Sequence, residues 1–235
     1  NPPTVLSGIL ITKIEVWITN KTGNTQDSRD VLAFLDLGEN EPYNTAQIAG
    51  GASVLPSGFT NPTFPTPSNN LLANLAVGAP NARLTNSNDV ISYFQANGAT
   101  DNFAKVTYAR KLNEREFNFQ PQLGYISLNN PLNGDEVLAV SYRYTYNGVE
   151  YQVGEFSTDV NFDPATPKVL FSKLLKNETI KTNLPTWNLM MKNIYSMGGY
   201  QISRQNFKLD IFRIDDKTGV EMPLIREGSK TEMKQ

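Results

Sequence analysis

The chain has 235 residues, 39% hydrophobic and 10% aromatic, which is enough apolar material for one sizeable core or two small ones. It contains no His and no Cys, which excludes Ser-His-Asp and Cys-His nucleophilic systems, Cys/His zinc sites and disulfides. A formal charge of -2, with Lys and Arg dispersed along the chain, provides no basic field for nucleic acid.

The chain opens Asn1-Pro2 without an initiator Met, the start expected of a processed chain or of a piece of something longer. Residues 9–19, ILITKIEVWIT, alternate after an apolar opening. Ile14, Val16 and Ile18 share one face and Lys13, Glu15 and Trp17 the other, as in a half-buried strand. Trp17 therefore lies on the polar side, either covered by a loop or helix or exposed as an anchor for a partner. In NTQDSRDVLAFLDLGEN, Asp27 or Ser28 can N-cap a short helix carrying Val31, Phe34 and Leu35, with Gly38 as its stop. The short apolar run also allows a strand, and helix is the preferred reading.

Residues 41–88 change character. GGASVLPSGFTNPTFPTPSNN is dense in Gly, Pro, Ser, Thr and Asn and lacks periodicity, so a long surface excursion is expected. Phe59 and Phe64 lie within it, and together with Trp17 they are the candidate protein-contact residues. SNDVISYFQANG then reads as a capped short helix with Val90, Ile91 and Phe94 on one side and Gly98 at its end.

From Phe103 the pattern is β. FAKVTYARKL, REFNFQPQLGYISL and DEVLAVSYRYTYNGVEYQVGEFSTDV contain several short strands with turn signals, one of them Pro131 to Asp135. In SYRYTYNGVEYQVGEF, Asn147-Gly148 marks a two-residue type I′ hairpin. That turn sets Tyr146 opposite Val149, Tyr144 opposite Tyr151 and Tyr142 opposite Val153, with Ser141, Arg143 and Thr145 on a polar face against Gly154, Gln152 and Glu150. Arg143 lies diagonal to Glu150, within reach of a weak ion pair. The tyrosine face could be core, a sugar-stacking platform, a partner surface or a lipid face; Val at its ends favours core.

Residues 168–198 read as helical. PKVLFSKLLK places Leu170, Phe171, Leu174 and Leu175 at helical spacing, and LPTWNLMMKNIYSMGG adds a Trp187, Met190, Met191, Ile194 and Tyr195 stripe between Pro185 and Gly198-Gly199. Residues 206–214 give a closing strand, Asp215 to Gly219 a turn and REGSKTEMKQ a polar tail. The expected fold class is α+β: mainly antiparallel sheet, sandwich-like, with a few short helices and a long Gly/Pro/Asn-rich loop. It would form one domain over 1–235, with a β-rich core at 9–19 and 103–160.

The remaining catalytic chemistry would use carboxylates, and Glu114, Glu116, Asp135, Glu136, Glu150 and Glu155 are accounted for as solvated strand or turn residues. Asp215 and Asp216 lack the spacing of a calcium loop, and Gly50-Gly51 lacks the Lys of a phosphate loop. No enzyme activity, catalytic residue, cofactor or metal is assigned. No stretch reaches the roughly 20 apolar residues of a spanning helix. A cell-surface carbohydrate- or adhesin-type binding module is the alternative that a β-rich composition allows.

Three blocks carry a resemblance: 11–39 (ITKIEVWITNKTGNTQDSRDVLAFLDLGE), 108–159 (YARKLNEREF to GEFSTD) and 170–212 (LFSKLLKNET to NFKLDIF). They resemble segments of the SprA/Sov family, very large outer-membrane proteins of Bacteroidetes. The resemblance implies a fragment of the type IX secretion translocon, which exports folded cargo and serves gliding motility. It implies, as partners, other secretion components, secreted cargo and the remainder of the same chain, and a place in the cell envelope on the periplasmic or extracellular face of the outer membrane. The family builds a large transmembrane β-barrel. With one strong hairpin, helices and a Pro-rich loop, this chain is expected to be a domain outside the bilayer that does not itself span it. The family carries no catalytic residues to transfer.

Overall fold

The computed structural model describes residues 8–23, 25, 27–39, 71, 75, 78–79, 81–96, 100–160, 162–163, 165, 167–191, 203, 205, 208, 212–214, 217–222, 226–227 and 231–232. The chain, which the sequence presents as a single domain, divides into two compact units, Asn1–Met191 and Lys192–Gln235.

The first unit contains β1 (Ile9–Ile18), β2 (Arg29–Phe34), α1 (Asp89–Ala96), β3 (Phe103–Lys111), β4 (Phe117–Gln120), β5 (Tyr125–Leu128), β6 (Leu138–Tyr146), β7 (Val149–Val153), β8 (Leu170–Lys176) and the single turn α2 (Thr186–Leu189). Hydrogen bonding runs β1-β3-β2-β8-β6 and returns from β6 to β1, closing a five-stranded barrel in place of the expected sandwich. All pairings are antiparallel except β2 with β8, and β7 extends the sheet from the far half of β6. Closure removes the open edges that a sandwich leaves.

Closure also explains the two strands that read as helices. In β2, Val31, Leu32, Ala33 and Phe34 are all buried, and in β8 so are Leu170, Phe171, Ser172 and Leu174. A strand covered on both sides shows a continuous apolar run and no alternation, so its spacing imitates a helix. Val31, Ala33, Leu170 and Leu174 fill the interior with Trp17, Ala109 and Ala139. Three alanines sit beside the larger side chains there, as the little room inside a five-stranded barrel requires. Where Ser141 meets Ser172, their hydroxyls bond at 3.0 Å.

Leu32, Phe34 and Phe171 face outward beneath Val90 and Phe94 of α1. Leu71 and Leu75 join them, both helical and buried at 2% and 1% exposure. The excursion expected over 41–88 therefore contains core: Leu71 and Leu75, spaced i and i+4, lay one helical stripe onto the barrel. The short helix expected around residues 89–96 is present, with Val90 and Phe94 buried.

The hairpin of β6 and β7 has the expected register from Tyr142–Val153 to Tyr146–Val149, with Asn147 at φ 49° and Gly148 at φ 77° forming the turn. Arg143 Nε stands 3.5 Å from Glu150. The polar face of the hairpin is solvated only toward the turn, where Glu150 is exposed; Ser141 and Gln152 are buried at one end of the interior. Beyond β8, the described part of the helix expected through residue 198 is α2 alone. Met190 is extended (φ -79°, ψ 134°), and Ile194 and Tyr195 lie outside the described residues.

In the second unit, β9 (Arg213–Ile214) pairs with β10 (Glu221–Met222), and β11 (Arg226–Glu227) pairs with β12 (Thr231–Glu232). The first pair accounts for the described end of the closing strand and the turn after it. The second is a small hairpin within the expected polar tail.

Candidate functional site

The site is built on the outward face of β1, β6 and β8. In β1 the register shifts between Ile11 and Lys13, a bulge that leaves Thr12 without an opposite residue. Ile11 and Ile14 are three positions apart, so simple alternation would put them on opposite faces; the bulge returns both to the same one. Ile9, Ile11 and Ile14 thereby stand opposite Tyr146, Tyr144 and Tyr142. The bulge is held by Thr12 Oγ1 donating to Arg143 O at 3.3 Å and by Ile11 N donating to Pro121 O at 3.0 Å.

The second of these bonds ties down a roof. β4 and β5 pair through the turn 121–124, where Gly124 adopts φ 68° and its amide donates to Gln120 O at 2.9 Å. At the base of this hairpin, Phe117 closes onto Val16 and Val140 with Ile126 and Leu128. Toward its tip the hairpin stands off the sheet. Between the two surfaces is a cavity of about 340 Å³, floored by Ile11, Ile14, Tyr142 and Leu175 and bordered by Leu123 and by Leu189 of α2. Leu123 and Leu189 are 54% and 50% exposed, so the mouth is an apolar rim open to solvent. Exposed apolar side chains grouped around an apolar cavity are the mark of a binding surface.

One charge reaches the cavity wall. Lys173, opposite Val140, forms an ion pair with Glu39, which also accepts the amide of Leu37 at 2.8 Å. Burial raises the Glu39 carboxyl above its ordinary value, and the Lys173 ammonium offsets only part of that. The lysine thus arrives at the apolar wall already paired.

Trp17 is 1% exposed and faces the barrel interior, so it is a covered side chain and not an exposed anchor. The face it shares with Lys13 and Glu15 points inward toward the polar end of the barrel. Phe59 and Phe64 lie outside the described residues. The tyrosines do not form a sugar platform: Tyr144 is 2% exposed and stacks on Tyr151 at 5.2 Å within the core.

Five of the six carboxylates considered for hydrolysis, all but the exposed Glu114, have structural partners. Arg83 grips Glu155 in a fork at 2.5 and 2.6 Å, and Phe171 N adds a third bond at 3.0 Å. Glu136 accepts Asn133 N at 2.6 Å, Arg110 holds Glu116 at 2.8 and 2.9 Å, and Asp135 pairs with Lys21. Glu155 and Glu136 are buried, which corrects the expectation that these residues are solvated. Among the described residues, no cluster of acidic side chains is placed to hold a metal ion.

Sequence reasoning missed the cavity and the Lys173–Glu39 pair because their parts come from segments far apart in the chain. The legible signal was the isoleucine triplet at 9, 11 and 14, whose broken alternation marks a bulge. Fold and site together define a small closed β-barrel bearing one roofed apolar pocket. Compared with known proteins, the chain matches no family model, and no curated protein is significantly similar to it.

Proposed function

We propose that this barrel is a non-catalytic docking module of the type IX secretion translocon at the outer membrane, taking part in protein export and gliding motility through protein–protein contacts. The observation that carries a docking role is the 340 Å³ apolar cavity with its half-exposed leucine rim. An apolar side chain of a partner, of cargo or of the remainder of the same chain would enter between the β4–β5 roof and the tyrosine floor. The resemblance of the three sequence blocks to the SprA/Sov family supplies the setting, the cell envelope. A place outside the bilayer is supported by the barrel's construction: its interior is packed, mainly with apolar side chains apart from one polar end, and α1, Leu71, Leu75 and the roof hairpin lie on its outer face. An outer-membrane barrel has a polar interior and an apolar lipid face, the reverse arrangement.

The test is photo-crosslinking from a reactive analogue at position 123, with the full chain in the cells that make it. A discrete crosslinked polypeptide is expected. It should disappear, and export of secreted proteins should fall, when Leu123 and Leu189 are both replaced by Asp. Absence of any polypeptide adduct, or normal export by the double variant, overturns the proposal.

A further inference from the structure

A second cavity, of about 430 Å³, opens where the end of β1 meets the start of β2 and the end of β3. Its wall includes Trp17, Ser28, Arg29, Lys111, Ser157 and Phe162. Trp17 Nε1 is buried and has no hydrogen-bond acceptor among the described residues. A buried N–H left unbonded costs about 1–3 kcal/mol, so native structures rarely keep one without a ligand or water to accept from it.

Two cations flank the indole, and neither is fully engaged. Arg29 makes one hydrogen bond among the described residues, to Val160 O at 2.9 Å, and its guanidinium lies 5.4 Å from the centre of the exposed Phe162 ring. Burial, with no carboxylate in direct contact, lowers the basicity of this group, which nevertheless stays fully charged. Lys111 Nζ reaches Ser157 Oγ at 3.2 Å and Glu15 Oε1 at 3.4 Å, both long contacts. Glu15 is committed elsewhere, accepting Ser157 N and Ser157 Oγ at 2.8 Å each.

We propose that this cavity binds a carboxylate, gripped by the Arg29 guanidinium and the Lys111 ammonium with the Trp17 indole N–H as third donor. Arginine presents parallel N–H groups that match the two oxygens of a carboxylate. The charge on the wall suits a monoanion: two cations face one carboxylate of the lining, Asp27, while Glu15 is turned to Ser157. A phosphate dianion would exceed what this wall can neutralise. The carboxylate can belong to a small free acid or to an acidic side chain of another protein. The proposal is independent of the apolar docking site.

The indole N–H signal of Trp17 is the readout, followed by proton–nitrogen NMR in the full chain with Trp187 replaced by Phe to leave one indole. The probes are acetate, an uncharged-terminus peptide with a single Glu, and inorganic phosphate. A saturable downfield shift with acetate and peptide alike supports a pocket for free acids, and a shift with the peptide alone supports an acidic side chain. Arg29→Gln and Lys111→Met, each checked for unchanged melting temperature, should weaken binding about tenfold, the loss of one charge-assisted hydrogen bond. An indole signal unmoved by either carboxylate overturns the proposal. So does phosphate binding as tightly as carboxylate, or undiminished affinity in whichever of the two variants remains folded.

Discussion

The two outward faces of the barrel start from similar residues and end differently. Over β2 and β8, Phe34 meets Phe171 at 5.6 Å, Phe94 at 5.7 Å and Phe103 at 6.5 Å, and helical residues close the rings in. Over β1 and β6, Ile9, Ile11, Ile14, Tyr142 and Tyr144 face a roof that leaves about 340 Å³ unfilled. The difference lies in the covering element. A helix lays a stripe of side chains into a sheet, whereas the four-residue strands of β4 and β5 point only alternate residues inward, and Phe119 near the tip remains 39% exposed. The filled face stabilises the fold, and the unfilled one is available for a partner.

Truncation of one residue on each face should break or confirm that contrast. Phe34→Ala removes a fully buried ring from the filled face and should cost about 3–5 kcal/mol. Leu123→Ala at the rim should cost about 0.5 kcal/mol or less, as for exposed positions. Urea unfolding of both variants measures the difference, and equal losses would mean that the roof is as tightly packed as the helical side.

The polar end of the barrel interior gives the next largest effect. Gly154 sits at φ 72°, and a Cβ there would lie 2.7 Å from Ser141 Oγ and 3.1 Å from Phe171 O. Gly154→Ala combines left-handed backbone strain with overpacking and should cost about 1–3 kcal/mol. Gly148→Ala has the same sign of φ and open space, so it isolates the backbone part. Thermal unfolding should place Gly154→Ala well below Gly148→Ala; equal melting temperatures would show that the serine hydroxyls yield without cost.

A smaller effect of opposite sign tests the unfilled face directly. Leu175→Phe adds volume toward the cavity and should stabilise by about 0.5–1 kcal/mol if the space is empty in solution. The same variant should reduce crosslinking from position 123. Destabilisation would show that the roof already rests on the floor.

These contrasts also explain what the sequence made legible. The β6–β7 hairpin could be read residue by residue because Asn147-Gly148 sets turn and register locally. β2 and β8 could not, since burial on both faces erases the alternation that identifies a strand, and Leu71 with Leu75 were hidden in a stretch whose composition reads as loop. The tyrosine row was legible as core, but the cavity in front of it was not. That space depends on the bulge at Thr12, on Pro121 reaching Ile11 N and on the height of a short hairpin, none of which leaves a local pattern. Trp17 shows the same limit: its neighbours Lys13 and Glu15 made its face look solvated, while closure turned that face inward.

The smallest expected effect compares two carboxyls, one behind the cavity floor and one at the base of the roof. An unfolded Glu titrates near ~4.3. Burial raises Glu39 above that value, Lys173 offsetting only part, so the folded chain holds this proton more tightly than the unfolded one. Its contribution to stability is full below the unfolded pKa and is lost as pH rises through the folded one. Glu116 runs the other way. Burial pushes it up, but the Asn113 amide and the Arg110 guanidinium outweigh burial and leave it below its ordinary value. Its contribution is present above the unfolded pKa and is lost as pH falls through the folded one. Urea midpoints followed from acid to neutral pH should therefore drift in opposite directions relative to Glu39→Gln and Glu116→Gln: the parent loses ground to the first as pH rises and gains on the second. Drifts of the same sign would mean that Lys173 neutralises Glu39 completely, and the cavity wall would then be as well solvated as the turn.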